Sequence, residues 1–246
     1  MDGPVYIVIG AAGGIGRALT RRLSSNQAKL LLLSRNEQAI AALSQELPES
    51  LAFAVDATNF KALQGCFEYG LKHFGRVDGV VNLAGSILLK PAHRMKDEEW
   101  DDVINTNLRT AFNALRASVK VLRSNGGSVV LMSSAAARKG LPSHEAIAAA
   151  KAGVIGLTLS GAASYAPLNI RINAVAPGLV NTPLAAGIVN HPASLRASTS
   201  MHALGKIGQP DDVASMIEWL LSPTNTWVTG QVFGVDGGLG TLYSRS

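Results

Sequence analysis

Val5-Tyr6-Ile7-Val8-Ile9-Gly10-Ala11-Ala12-Gly13-Gly14-Ile15-Gly16-Arg17 decides how the rest of the chain is read. Its first five residues form a continuous apolar run rich in β-branched side chains, the pattern of a strand buried on both faces. Glycines follow, and from residue 14 the apolar positions recur with a helical period to about residue 25. A strand that passes through a glycine-rich turn into a helix is the opening of a βαβ unit. Glycines let such a turn tighten and let backbone approach a pyrophosphate, which then rests on the unpaired N–H groups of the helix N-terminus. Gly10, Gly13, Gly14, Ile15 and Gly16 are therefore candidate nucleotide contacts.

Outward from this stretch the same alternation continues. Further strands are predicted at Leu30–Leu33, Leu51–Val55, Gly79–Asn82, Ser128–Met132, Ile170–Val175 and Gln231–Val235. Helical patterns fall near 36–46, 59–74, 97–124, 147–165 and 211–221. Seven apolar strands alternating with helices predict an α/β fold: one doubly wound Rossmann-type domain over 1–246, with a seven-stranded parallel sheet covered by helices on both faces. No linker, repeat or low-complexity tract divides it. The segment from Pro183 to Leu204, rich in Ala, Ser, His and Pro, shows no clear period, and a substrate loop is predicted there over 183–204.

Composition excludes several classes. Among 246 residues, 47% are hydrophobic and 16% charged, the reverse of a disordered composition. The single cysteine, Cys66, forms no internal disulfide, and no basic n-region precedes an apolar h-region at the N-terminus, so the cytoplasm is the expected compartment. Unbroken apolar runs such as Leu30–Leu33 are far shorter than the ~20 residues of a membrane span, and no membrane association is expected. The net charge of +5 is dispersed with few aromatics among it, so a nucleic-acid partner is not expected either. It suits a phosphate-bearing small molecule or an acyl carrier. No metal site is expected.

The second predicted strand ends in Leu33-Ser34-Arg35-Asn36. A carboxylate at this point would bind the ribose diol of NAD, whereas a guanidinium pairs with a 2′-phosphate through charge-assisted contacts. Ser34 and Arg35 therefore favour NADP(H) over NAD(H). Alternatively, Arg35 simply starts the next helix on the surface.

Together with Gly10-xxx-Gly14-x-Gly16, a series of ordered motifs resembles the short-chain dehydrogenase/reductase family over essentially the full chain. They are Asp56 after the third strand, Asn82-Leu83-Ala84-Gly85 after the fourth, Asn107 in Thr106-Asn107-Leu108, Ser133-Ser134 after the fifth, Lys151, Pro177-Gly178-Leu179-Val180-Asn181-Thr182, and the tail from Thr229-Gly230-Gln231 to Asp236-Gly237-Gly238. Within the family the chain is most similar to the 3-oxoacyl-[acyl-carrier-protein] reductase-like members. The resemblance implies that Asp56 and Ala57 flank adenine, that Asn82, Ala84 and Gly85 support the cofactor, and that Pro177, Gly178, Val180 and Thr182 lie by the nicotinamide. It also implies that Ser134 bonds the substrate oxygen, Lys151 holds the nicotinamide ribose, and Asn107 supports a water chain to the lysine. A homotetramer is implied as well. Structural roles stay open for the same residues: a local turn for Ser134, an Ala-rich surface helix for Lys151, and the backbone of its own helix for Asn107.

The sequence departs from the family pattern at its centre. A tyrosine four residues before the lysine is the family's proton donor, and here that position holds Ile147. Loss of a positioned general acid typically costs ~10²- to 10⁴-fold in rate. His144, seven residues before Lys151, stands at the spacing at which divergent enoyl reductases of the family place their tyrosine, with Glu145 a weaker substitute; an exposed loop histidine is the alternative. Peroxisomal 2,4-dienoyl-CoA reductases, which resemble this chain in the short stretch Ala150-Lys151-Ala152, also lack the tyrosine and reduce conjugated double bonds. The sequence thus allows two functions. One is an NADP(H)-dependent reductase of a carbonyl or conjugated acyl substrate with an altered acid; the other is an NADP(H)-binding protein with a sensor, structural or partner-subunit role.

Overall fold

The computed structural model describes residues 3–243; residues 1–2 and 244–246, the ends of the predicted domain, lie outside the described residues. Seven strands form one parallel sheet: β1 (Val5–Ile9), β2 (Lys29–Ser34), β3 (Ser50–Ala54), β4 (Gly79–Asn82), β5 (Gly127–Met132), β6 (Ile170–Pro177) and β7 (Val232–Val235). Their spatial order is β3-β2-β1-β4-β5-β6-β7. The chain runs outward from β1 to β3, then returns to place β4 on the other side of β1. A crevice forms at this reversal, beyond the carboxyl ends of β1 and β4, where Ile9 lies beside both Leu33 and Asn82.

Helices α1 (Gly14–Ser25), α2 (Glu37–Gln45), α3 (Phe60–Phe74), α4 (Asp97–Ile104), α5 (Thr110–Leu122), α6 (Glu145–Tyr165), α7 (Ala186–Val189), α8 (Pro192–Met201) and α9 (Pro210–Leu221) complete the fold. The period of two along each strand divides the core. Ile7, Ile9, Leu31 and Leu33 pack with Leu63 and Phe67 of α3, Ala114 and Val121 of α5 and Val154 of α6. Tyr6, Val8, Leu30 and Leu32 pack with Leu19 and Leu23 of α1, Ile40 and Leu43 of α2 and Ile217 and Leu220 of α9. The continuous apolar runs in the sequence reflect this two-sided burial. Full burial of one such aliphatic side chain is worth about 1.5–3 kcal/mol.

Two expectations need correction. The pattern at 97–124 is helical from 97 to 122 but not regular throughout, because a π-helical turn at Asn105–Arg109 interrupts the α geometry between α4 and α5. Nor is the 183–204 segment an irregular loop: it contains a 3₁₀ turn at Pro183–Ala185, then α7 and α8. Pro192 occupies the first turn of α8, and the His191 ring accepts from the Ser194 N–H as its cap. Neither α7 nor α8 has a buried residue, so they lack the apolar periodicity that reveals a helix.

The stretch Glu145–Leu168, with a mean hydropathy of 1.5, is long and apolar enough to cross a membrane. Here α6 packs on β6, α4 and α5, with Val154 and Ala162 in the main core. Its apolarity is that of a helix covered on several sides.

Candidate functional site

The crevice at the strand reversal is a cavity of about 180 Å³ lined by the Gly10–Gly16 turn, the β4 end from Leu83 to Ile87, Asn107, the β5 end from Met132 to Ser134, Ile147 and Lys151 of α6, and the β6 end from Pro177 to Ala185. Its floor is fixed by the turn. Gly10 and Ala11 both donate to the Leu33 carbonyl, at 2.7 and 3.1 Å. Gly10 has φ +79°, and a Cβ there would lie 2.9 Å from the Leu83 carbonyl carbon, so glycine permits both the left-handed turn and contact with β4. A side chain on Gly16 would collide with the Gly10 and Ala11 carbonyl oxygens.

The α1 N-terminus carries no side-chain cap and no acidic residue in its first turn. Its unpaired N–H groups and positive dipole end therefore remain for an anion, as a dinucleotide pyrophosphate requires. Gly14 puts no side chain into the crevice between this terminus and Thr182, so the residues present fit such a group. Thr182, across the crevice, would be within 2.8 Å of a Cβ at Gly14, which shows how closely the two walls approach.

Ser34 and Arg35 stand beside this turn, since the β2 end is bonded to it through Leu33. The Ser34 hydroxyl accepts from the Asn36 N–H at 3.4 Å. Arg35 is exposed and makes no hydrogen bond or ion pair among the described residues. Asp56 is also exposed, and its Oδ1 accepts from the Thr58 N–H and hydroxyl, both at 2.9 Å. Buried Asn113 of α5 holds the same turn by donating to the Ala57 and Thr58 carbonyls. Asn82 is buried at the β4 end, where its Oδ1 accepts from the Ala84 N–H and its Nδ2 donates to the Thr110 hydroxyl.

Three of the four candidate catalytic residues converge. Lys151 is buried, and its Nζ donates to the Met132 carbonyl at 2.9 Å. Burial pushes its pKa down from 10.5 to about 8. Asn107 sits in the π-helical turn, where Nδ2 donates to the Val103 carbonyl and the Ser86 hydroxyl while Oδ1 accepts from the Ser86 N–H. A Cβ on Gly85 would be 2.9 Å from Asn107 Oδ1 and 3.5 Å from Lys151 Nζ, which locates both groups around one point. The π turn is the local distortion that turns Asn107 inward; such bulges often mark functional sites. Ser134, at the β5 end, accepts from the Ala136 N–H through Oγ at 3.2 Å and so does cap a local turn. Its hydroxyl proton remains available to the cavity it lines.

His144 is not brought to the lining. It precedes α6 as its N-cap residue, and its Nδ1 is 2.7 Å from the Pro142 carbonyl. Ile147, 5% exposed, is part of the cavity wall and packs in a small apolar cluster with Val103, Ala146 and Ala150. Ser86, Ile87 and Met132 also line the cavity and were not singled out in the sequence, whereas Leu184 and Ala185 fall in the predicted substrate segment and Leu179 in the Pro177–Thr182 motif. Ser86 and Met132 directly adjoin recognised motifs, and adjacency was the signal available. Among the described residues no group of three or more His, Cys, Asp and Glu could hold a metal ion.

Comparison with known proteins bears on this arrangement. The family described as Enoyl-(Acyl carrier protein) reductase matches residues 10–240. The chain is 36% identical over 245 residues to the 3-oxoacyl-[acyl-carrier-protein] reductase FabG of Thermotoga maritima, covering 97% of this chain and 98% of that protein. It is also 36% identical over 242 residues to carbonyl reductase family member 4 of Danio rerio, covering 96% and 98%. Among solved structures, a single-substitution variant of actinorhodin polyketide ketoreductase with NADPH superposes with a TM-score of 0.92 at 29% identity, over 98% of each chain. A short-chain type dehydrogenase/reductase from Mycobacterium ulcerans gives 0.92 at 28% identity, over 100% of this chain and 93% of that one.

Proposed function

Because the chain belongs to the short-chain dehydrogenase/reductase family, we propose that it is an NADP(H)-dependent oxidoreductase of carbonyl or conjugated acyl substrates that works without a tyrosine acid. One observation carries the reading. Ser134, Lys151 and Asn107 share a cavity with the glycine turn, and Ile147 forms the wall one helical turn before Lys151. The nicotinamide, when bound, supplies the hydride.

The α1 N-terminus and the Gly10–Gly16 turn bind the pyrophosphate, and the exposed Arg35 meets a 2′-phosphate. The β6 end from Pro177 to Thr182 orients the nicotinamide. Ile87, Ile147 and Leu184 give the substrate side an apolar lining, which suits an acyl chain. Ser134 hydrogen-bonds the substrate oxygen through its hydroxyl, which stays protonated. Lys151 keeps a proton on Nζ at neutral pH, yet with its pKa near 8 it releases that proton more readily than an ordinary lysine. Asn107 fixes the adjacent loop through Ser86.

Reduction of a ketone forms an alkoxide that needs a proton at once, whereas reduction of a conjugated double bond places charge on an enolate that one hydrogen bond stabilises. Enoyl or dienoyl thioesters are therefore the favoured substrates over simple ketones. The test follows NADPH oxidation with both substrate classes in the natural protein and in Ile147→Tyr. Faster turnover of the unsaturated thioesters, with ketone activity raised about tenfold or more by Ile147→Tyr, supports the proposal. Tight NADPH binding without turnover of either class supports the second reading, a cofactor-binding protein with a sensor or subunit role, which the packed apolar setting of Ile147 favours. The proposal includes assembly as a homotetramer.

A further inference from the structure

We infer that His202 is a positioning residue for the cofactor's nicotinamide end, an inference that rests on the proposed nicotinamide site. His202 follows α8 and is only 3% exposed. Its Nδ1 lies 2.6 Å from the Ser198 carbonyl, and its Nε2 lies 3.1 Å from the Leu179 backbone nitrogen. A carbonyl only accepts and a backbone N–H only donates, so the two contacts fix the tautomer: the proton is on Nδ1, and the Nε2 lone pair receives the Leu179 N–H.

The ring therefore joins two pieces of chain that are far apart in sequence. One is the last turn of α8. The other is the β6 end, where Gly178 and Leu179 line the cavity. The contact is tight: a Cβ on Gly178 would lie 2.5 Å from His202 Nε2 and 3.1 Å from the Asp236 Cα. The carboxylate of Asp236 is committed elsewhere, accepting from the Gly238 and Gly240 N–H groups. On its other side, the Leu179 carbonyl accepts from Gly208 N–H at 2.9 Å. Leu179 is thus held through both backbone groups, and the imidazole holds the one that no backbone carbonyl satisfies. Removing the acceptor frees the Gly178–Val180 edge to turn, which moves the surface against which a nicotinamide ring would lie. The hydrogen bonds of the His202 ring go to Ser198 and Leu179 and not to the glycine turn that receives the pyrophosphate, which stays in place.

The test uses binding rather than turnover. Dissociation constants are measured for NADPH and NADH and for their nicotinamide-free counterparts, 2′-phospho-ADP-ribose and ADP-ribose, in the natural protein, His202→Gln and His202→Leu. Glutamine places an acceptor at the Nε2 position; leucine fills space without one. His202→Leu is expected to weaken the complete cofactor fivefold or more while its counterpart binds within twofold of the natural protein, and His202→Gln to stay within threefold for both. If His202→Leu does not fold, His202→Asn replaces it, because its shorter amide reaches Ser198 and not Leu179. Unchanged cofactor binding in His202→Leu, equal losses for cofactor and counterpart, or equal losses in the leucine and glutamine variants would overturn the inference. Binding of none of the four ligands by the natural protein would instead overturn the nicotinamide site itself.

Discussion

Lys151 carries opposing demands. Its ammonium is buried with a single backbone carbonyl as hydrogen-bond partner, and desolvation lowers its pKa to about 8. The unfolded chain holds that proton up to the ordinary lysine range, so between pH 8 and about 10.5 it binds more protons than the folded one. Stability should rise with pH across this window by about 3 kcal/mol, and below pH ~8 the full penalty is present. Urea unfolding of the natural protein and Lys151→Met at about pH 7.5 and pH 10 checks this: the rise belongs to the natural protein alone, and parallel curves contradict it. Arg35 gives a second residue-scale expectation. Its exposed, unengaged guanidinium would lose a charge-assisted contact in Arg35→Ala, weakening NADPH by about 1.5–3 kcal/mol with NADH little changed. Isothermal titration with both cofactors decides it, and an equal loss for the two removes Arg35 from the phosphate site. His144→Ala, by contrast, should leave NADPH-dependent turnover within twofold, because the ring is outside the cavity lining; a larger loss in a steady-state assay would restore His144 as the acid.

At the scale of elements, the joint between β1 and α1 matters most. The Gly16 position faces the Gly10 and Ala11 carbonyls so closely that even one methyl group must push the turn open. Gly16→Ala should destabilise the fold by about 1–3 kcal/mol and abolish nucleotide binding. Thermal denaturation with a binding titration tests both, and a variant that binds NADPH normally would show that the turn has slack. The π turn between α4 and α5 is a second joint. It brings Asn107 inward while Asn105 stays outside to accept from Arg109 Nε at 2.7 Å. Apolar periodicity runs on through both helices, so the sequence pattern alone joined them into one.

For the whole molecule, several large apolar side chains remain uncovered. Phe112 on α5 is 47% exposed and Leu159 on α6 is 53% exposed; Trp219 on α9 is 45% exposed, and Trp227, before β7, is 98% exposed. Exposed apolar surface of this kind commonly marks an interface, and closed symmetric assemblies are the usual result. Light scattering should give the mass of four chains at micromolar concentration. Phe112→Glu combined with Leu159→Glu should yield a smaller species, and a monomeric mass for the natural protein would contradict the assembly.

The sequence by itself determined the strand-helix alternation, the strand positions to within one or two residues, and the glycine turn. Each of these is local: burial of a strand or helix face writes its own period into the residues that form it, and a turn demands its glycines in place. Ordered motif spacings also made Ser134, Asn107, Lys151 and the Pro177–Thr182 segment legible as site candidates. Helices α7 and α8 were not legible, since neither has a buried face to impose a pattern. Only the tertiary structure decided that Asn107, Gly85 and Lys151 meet, that His144 lies off the cavity while Ile147 lines it, and that His202 reaches Leu179. These contacts join residues tens of positions apart in the chain, and their distances are set by strand order and helix packing, which no local pattern encodes.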